Sequence, residues 1–498
     1  MSSNNTNHNN SASSGTVVCT PKPNSKLNKA EGYMAACQGG VLQVTMGMFF
    51  DGTGNNKENV KQGFGVFDST SYGNETSNVA RAWEFYKGAL NGVILKNNTE
   101  VDSNNGGNFN IYVEGIGTNN GAKDDDWLGY ALGIHGRSGI RSRVRLGTRK
   151  AAEAIMTMED VKKTINTINK IEVTFDVFGF SRGAAAARHF LSLNTEPHSP
   201  IDDPLFDFNS YFEYNINKLF EGERKIEIEI IWRFIGLYET VSSHGGDFED
   251  DVGELGLDAI SNAKFVAQIV AEDEYRKNFS LTTIDSAKNN GFTINLPGVH
   301  SDIGGGYKEE IRHGSEHLQE DKLILYRTPE FETDDVYATA ESLKIAKKVK
   351  NWFFDQGWYR EQKGNNFDQL EIEDNVFALE IDHYRIIGSR KYVSSTYSHI
   401  PLHIMTDLAS VNEVIFDTNG LKGKYPVKSD PFLKKVFDSF DGKKLNVSSW
   451  DLKKLRYEYL HWSSQFYTIK KLVKSIGHSP RINDQKEHPQ FERNIIQG

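Results

Sequence analysis

Residues 171–193 read IEVTFDVFGFSRGAAAARHFLSL, and the fold is decided in this stretch. A run rich in β-branched and aromatic side chains breaks at Gly179-Phe180-Ser181-Arg182-Gly183, and an Ala-rich helix former follows directly. The pentapeptide fits G-x-S-x-G, in which a strained strand-to-helix turn lifts a serine oxygen above the edge of a sheet. Glycines flank the serine because so tight a turn leaves no room for a Cβ. The helix that follows directs its first N–H groups toward an oxygen reacting at the serine. In a chain with 44 glycines the pentapeptide alone carries little. The strand before it and the helix after it give it weight. The bland alternative is an ordinary Gly-rich turn.

Outward from this elbow, strand-like and helix-like stretches alternate. VLQVTMGMFF (41–50) is a β-rich run ending in the turn formers DGTGNN (51–56). Residues 74–96 read as helical in the middle, with cap candidates at Asn74 to Ser77. FNIYVEGIGT (109–118) reads as a second strand ending in a Gly-rich turn, and 141–168 as helical stretches with apolar residues three and four apart. KIEIEIIWRFIGLYET (225–240), preceded by a helix, and FTINLPGVHSDIGGGY (292–307) supply two more strands. Such alternation predicts an α/β fold, α/β-hydrolase-like, with a mostly parallel sheet and helices on both faces. Beyond about residue 320 the texture is more charged and helical, with helices expected at 338–358, 399–416 and 448–476. The expected organisation is a flexible N-terminal tail over 1–40, a catalytic domain over 41–315, and a mainly helical extension over 316–498. That extension packs on the catalytic domain and is where a membrane-docking or lid part would lie.

A serine nucleophile needs a base and an acid, and hydrolases of this type supply them in the chain order Ser, acid, His. Glu239 ends the apolar strand in GLYET, and His300 follows another in PGVHSD. His300 would take the proton of Ser181 and return it to the leaving alcohol, while Glu239 would hold the imidazole in the right tautomer. Each has a structural alternative: a loop histidine for His300, an ordinary strand-end acid for Glu239. Asp302 and Asp247 are rival acids; His244 and His189 are rival bases, His189 being better suited to packing on the helix after the elbow. The oxyanion hole is expected from the backbone N–H groups of Gly52 or Thr53, in the loop after the first strand, and of Arg182, next to the nucleophile.

Composition narrows the function further. The 498 residues carry a net charge of −10, which disfavours nucleic-acid binding. The two cysteines, Cys19 and Cys37, fall in the N-terminal tail and offer no disulfide framework, so a cytosolic origin is the simple reading. The first 15 residues, MSSNNTNHNNSASSG, lack the basic and apolar regions of a cleavable signal peptide. No apolar run of 18 residues predicts a transmembrane helix. Nothing calls for a cofactor or metal: P-loop, G-x-G-x-x-G and H-E-x-x-H patterns are absent. Asp124-Asp125-Asp126 reads as solvated loop, with a calcium site as its alternative.

The blocks FFDGTGNN (49–56), YVEGIGT (112–118), VFGFSRGAAAARHF (177–190), FIGLYETVSS (234–243) and PGVHSDIGGGY (297–307) occur in this order. Together they resemble the signature blocks of the type VI secretion lipase effectors of the first subfamily. IPLHIM (400–405) and YLHWSS (459–464) extend the resemblance over about residues 41–464. The resemblance implies a phospholipase A acting on membrane phospholipids of a rival cell. It implies Ser181 as nucleophile and His300 as base. It also implies a cognate immunity protein and loading onto the secretion spike. Made in the producer's cytoplasm, such a protein would leave without a cleavable signal and act at a target membrane. Where the family's acid is normally Asp, this chain has Glu239. A soluble esterase or thioesterase of the same fold, and a non-enzymatic interaction protein on a hydrolase scaffold, are the competing readings. Trp352-Phe353-Phe354, Trp450 and Trp462 are candidates for a membrane-facing apolar surface, with ordinary core as their alternative.

Overall fold

The computed structural model describes residues 41–63, 69–87, 92–95, 99–104, 108–125, 138–158, 161, 168–195, 211–220, 226–242, 252–309, 321–327, 340–359, 378–382, 385–390, 393–464, 482–483 and 490–498. The 1–40 tail, with both cysteines, and the rivals His244 and Asp247 lie outside these residues.

Among the described residues nine strands precede residue 300: β1 (Val41–Phe50), β2 (Gly92–Leu95), β3 (Thr99–Asn104), β4 (Asn108–Val113), β5 (Lys170–Phe180), β6 (Glu227–Tyr238), β7 (Phe265–Ala271), β8 (Leu281–Thr282) and β9 (Gly291–Leu296). All but β8 form one sheet in the order β2-β3-β4-β1-β5-β6-β7-β9. The six strands from β4 to β9 are parallel, and β2 and β3 add an antiparallel edge. This is the expected mostly parallel α/β sheet. The chain leaves β1 toward β4 on one side and returns to β5 on the other. The carboxyl ends of β1 and β5 therefore flank a topological switch point, where open α/β sheets gather their sites.

Burial follows the same logic. The first halves of β1 and β5 alternate between buried and half-buried residues, whereas their last five or six residues are buried throughout. Two faces cover those ends. On one, the helices Ile140–Ile155, Arg182–Thr195 and Phe212–Leu219 pack against Phe175, Trp232 and Phe50. On the other, Phe49, Phe178, Phe234 and Phe265 form a ladder of rings across β1, β5, β6 and β7, with successive centroids 4.9, 5.6 and 5.8 Å apart. This second face is closed by residues far along the chain, among them Tyr397, Met405, Leu433 and Leu455. The distal helices are thus the missing layer of the sheet.

Several local expectations need correction. The helix expected in the middle of 74–96 is Asn78–Phe85, capped by Ser77 as anticipated, but 92–95 is strand β2. FVAQIVA (265–271), a short, mostly apolar run without alternation, is the unanticipated strand β7, between β6 and the edge strand β9. The distal region also contains a three-stranded antiparallel sheet of β10 (Asp321–Arg327), β11 (Ala378–Asp382) and β12 (Arg385–Arg390). Its helices at Ala340–Gln356 and His399–Val411 match expectation, while the helix expected over 448–476 is Ser449–Glu458 within the described residues. Phe353 and Trp462 are core residues that pack on each other and on Phe491, whereas Trp450 is exposed.

Candidate active site

Ser181 sits between β5 and the helix Arg182–Thr195 with φ 59°, a left-handed conformation that costs a residue with a Cβ about 1–2 kcal/mol. Its surroundings impose the turn. A Cβ on Gly179 would lie 2.6 Å from Ala184 Cα, and one on Gly183 would lie 2.2 Å from the Asp51 carbonyl oxygen. The Ser181 N–H donates to the Tyr238 carbonyl at 3.0 Å, and its own carbonyl accepts from Val241 N at 3.3 Å. The elbow is therefore clasped by the residues on either side of Glu239.

Glu239 follows β6 and has φ 53°. Its carboxylate is fully buried and held from several directions. Ala271 N donates to Oε1 at 2.6 Å, and His300 Nδ1 donates to Oε2 at 3.1 Å. Arg493 completes the shell with a two-pronged contact, Nη1 to Oε1 at 2.9 Å and Nη2 to Oε2 at 2.8 Å. Burial opposes ionisation, but Arg493 and His300 more than offset it, so the carboxyl titrates below its usual range.

His300 opens the short helix His300–Gly304, four residues past the end of β9 rather than at the strand end itself. Phe180 lies over its ring at 4.7 Å and Phe279 meets it edge-on at 4.9 Å. The His300 N–H donates to Glu274 Oε2 at 3.2 Å, and Glu274 is gripped by Arg276 and approached by Ser463 Oγ. Burial pushes the imidazole below its ordinary value against the upward pull of Glu239, which keeps it neutral at pH 7. With the proton on Nδ1, Nε2 carries the lone pair. That atom is buried and has no hydrogen-bond partner among the described residues.

The loop after β1 lies against the elbow. The Gly52 N–H donates to Asp51 Oδ1 at 2.8 Å, and the Arg182 Nε donates to Thr53 Oγ1 at 2.9 Å. Asp51 also accepts from Ser77 Oγ and Tyr112 OH, yet burial pushes its carboxyl up to about 6. The 112–118 block braces this loop: Gly54 N donates to Ile116 O and Gly115 N to Asn55 O.

The remaining candidates lie elsewhere. Asp302 accepts from His461 Nδ1 at 2.7 Å and from the N–H groups of Val299 and His461, so it pins the 297–307 block to the 459–464 block. His189 Nδ1 faces the Leu255 carbonyl on the opposite layer, at 2.8 Å. Asp124 and Asp125 are bonded to Ser71 and Ser138, so these two are not simply solvated; Asp126 lies outside the described residues. Among the described residues no cluster of His, Cys, Asp or Glu side chains could hold a metal ion, and no helix is long and apolar enough to cross a membrane. Sequence reasoning missed Arg493, which lies in FERNIIQG (491–498), a stretch with no periodicity or motif, and Glu274, which precedes Arg276 in an unpatterned loop.

Residues 206–323 match the sequence model of the family described as T6SS, phospholipase effector Tle1-like, catalytic domain, a span holding Glu239 and His300 but ending short of Ser181 on its N-terminal side. No curated protein matches the chain. Among solved structures, that of the Tle1 effector bound to the VgrG spike from the type 6 secretion system superposes with a TM-score of 0.55 at 20% identity, over 92% of this chain and 94% of that one. An uncharacterized protein from Pseudomonas aeruginosa gives a TM-score of 0.30 at 20% identity, over 54% and 42% of the two chains, too low to bear on the fold. The resemblance read from the sequence blocks thus recurs as a family match over part of the chain and as a shared fold over most of it.

Proposed function

We propose, from the likeness to the Tle1-like phospholipase effectors, that this protein is a serine phospholipase hydrolysing carboxylic esters of membrane phospholipids. Ser181, His300 and Glu239 are its triad. The observation that carries the reading is the His300–Glu239 pair at 3.1 Å beside a left-handed Ser181, with the histidine's other nitrogen buried and unpartnered. A neutral imidazole held by a carboxylate at Nδ1 is the form that accepts a proton at Nε2.

In the first half-reaction Ser181 Oγ attacks the acyl carbonyl carbon and its proton passes to His300 Nε2. The negative charge gathers on the former carbonyl oxygen. The backbone N–H groups of Arg182 and Thr53 are the donors for that oxyanion, tied to one another by the Arg182–Thr53 side-chain bond. The Gly52 N–H is engaged by Asp51 and shapes the loop. Collapse breaks the ester C–O bond, and His300 returns its proton to the departing lysophospholipid alkoxide. Water then attacks the acyl-enzyme with the same base, releasing a fatty acid and regenerating Ser181.

The family likeness also supports delivery on a secretion spike, action at a target-cell membrane and neutralisation by an immunity protein. Co-purification with the spike protein VgrG from the same cells tests the first of these; its absence under conditions that retain a known cargo would remove spike loading from the proposal.

Fatty-acid release from phosphatidylethanolamine vesicles, beside a short-chain ester assay, tests the enzymatic reading. Release by the wild type that falls at least about a thousandfold in Ser181→Ala is expected. Turnover of the short ester alone would make the protein a soluble esterase, and equal rates in wild type and variant would refute the serine mechanism.

A further inference from the structure

We propose that Arg493 is a positioning residue for the catalytic acid, delivered into the site by the strand Ile495–Ile496 that pairs with β8. The proposal rests on the triad reading above and explains how a glutamate works where the resembling family normally has an aspartate.

The side chain reaches the site on a built support. Ile495 and Ile496 pair in parallel with Leu281 and Thr282. Leu281 N donates to Asn494 O at 2.9 Å, Thr283 N to Ile496 O at 2.9 Å and Ser286 N to Gly498 O at 2.8 Å. Asn494 Nδ2 adds a bond to Ser280 Oγ at 3.0 Å. These bonds fix the backbone that directly follows Arg493. Its guanidinium then meets both Glu239 oxygens, and donates from Nε and Nη2 to the Phe279 carbonyl, each at 3.1 Å. Phe279 is the residue whose ring packs on His300. One guanidinium therefore sets both the carboxylate that holds Nδ1 and the loop that holds the face of the ring.

A glutamate needs this more than an aspartate does. Its extra methylene adds a rotatable bond, and a carboxylate free to swing would lose the 3.1 Å contact to Nδ1. A planar fork bonded to both oxygens removes that freedom, which a lysine cannot do. The fork also spends part of the carboxylate's negative charge, so the imidazolium gains less from Glu239 than it would from a lone acid. The charged groups facing His300 are Glu239 on the β6 end and Glu274 and Arg276 on the loop after β7; Arg493 acts on it through Glu239.

The test is the titration of His300, followed by NMR of histidine-labelled protein, in wild type, Arg493→Gln and Arg493→Lys, with kcat and KM on the vesicle substrate. Removing the cation should raise the apparent pKa of the His300–Glu239 pair, by about one unit. It should lower kcat at least about tenfold with KM within twofold. Arg493→Lys should keep the pair's pKa near the wild-type value while recovering only part of kcat, because it keeps charge and loses the fork. A merely structural tie would leave the pKa unmoved in both variants, and that result would overturn the proposal. The NMR readout needs no turnover: a wild type inactive on every ester, with the pKa still moved by Arg493→Gln, would sink the phospholipase reading and leave the positioning role standing.

Discussion

Ser181 and Glu239 are two of the four non-glycine residues with positive φ among the described residues. They end adjacent parallel strands, and Ser181 N–H bonds the carbonyl just before Glu239. Strain of this kind persists only where the surroundings impose it, and it concentrates at sites where a side chain must be aimed. For Glu239 the aim is set at three points, His300 Nδ1, Ala271 N and Arg493, all fitted to a side chain of this length. Glu239→Asp, although it restores the residue type of the resembling family, withdraws the carboxylate by one methylene. It cannot reach His300 without releasing Ala271 or Arg493. Initial rates should show kcat reduced at least about tenfold at unchanged KM; a fully active Glu239→Asp would mean that the three contacts are incidental.

At the scale of the elements, the elbow is a contact between two loops and a helix start, made possible where backbones touch without side chains. Gly183→Ala would drive a Cβ to 2.2 Å from the Asp51 carbonyl, which must move the loop carrying Thr53 or unwind the first helical turn. The expected cost is about 1–3 kcal/mol, seen as a lower Tm, with activity lost beyond what that destabilisation explains. Gly423 is the control: it is an exposed position of the helix Thr418–Lys424 with nothing near its Cβ position. Gly423→Ala should leave activity unchanged and stabilise by about 0.5–1 kcal/mol, and a destabilised Gly423→Ala would undercut the steric reading of both sites. This distinction also separates what the sequence disclosed from what it withheld. The elbow, Glu239 and His300 were legible because each sits within a few residues of an apolar run that ends abruptly, a local signal. β7 went unread because a seven-residue strand buried on both faces, apolar at every position but Gln268, carries no period. Arg493 went unread because its role depends on a chain reversal of more than 250 residues that leaves no local trace.

On the scale of the molecule, the division expected at residue 315 meets a core that crosses it. The ring ladder of Phe49, Phe178, Phe234 and Phe265 is covered by Tyr397, Met405 and their neighbours, and the Met405 sulfur lies 2.9 Å from where a Cβ on Gly236 would stand. Polar ties cross as well. Asn78 Nδ2 donates to both Ile303 O and Ser398 O, His461 bonds Asp302, and Arg456 bonds Asp273 at 2.9 Å. A sheet that loses the layer on one face exposes its whole aromatic ladder to water, an apolar surface of the kind that drives aggregation. The segment 41–315 expressed alone should therefore be insoluble, or elute as aggregate on size exclusion without a cooperative melt. The same segment co-expressed with 316–498 should be recovered as a soluble pair if the crossing core is what it lacks, since the two pieces still bury the same surface against each other. A monodisperse 41–315 with a sharp transition would contradict this, and would make the distal helices an appendage to a self-sufficient domain. The packing favours the other result: the site at the carboxyl ends of β5 and β6 is built by residues from Asp51 to Arg493, and the chain closes its second face before Glu239 has its full set of partners.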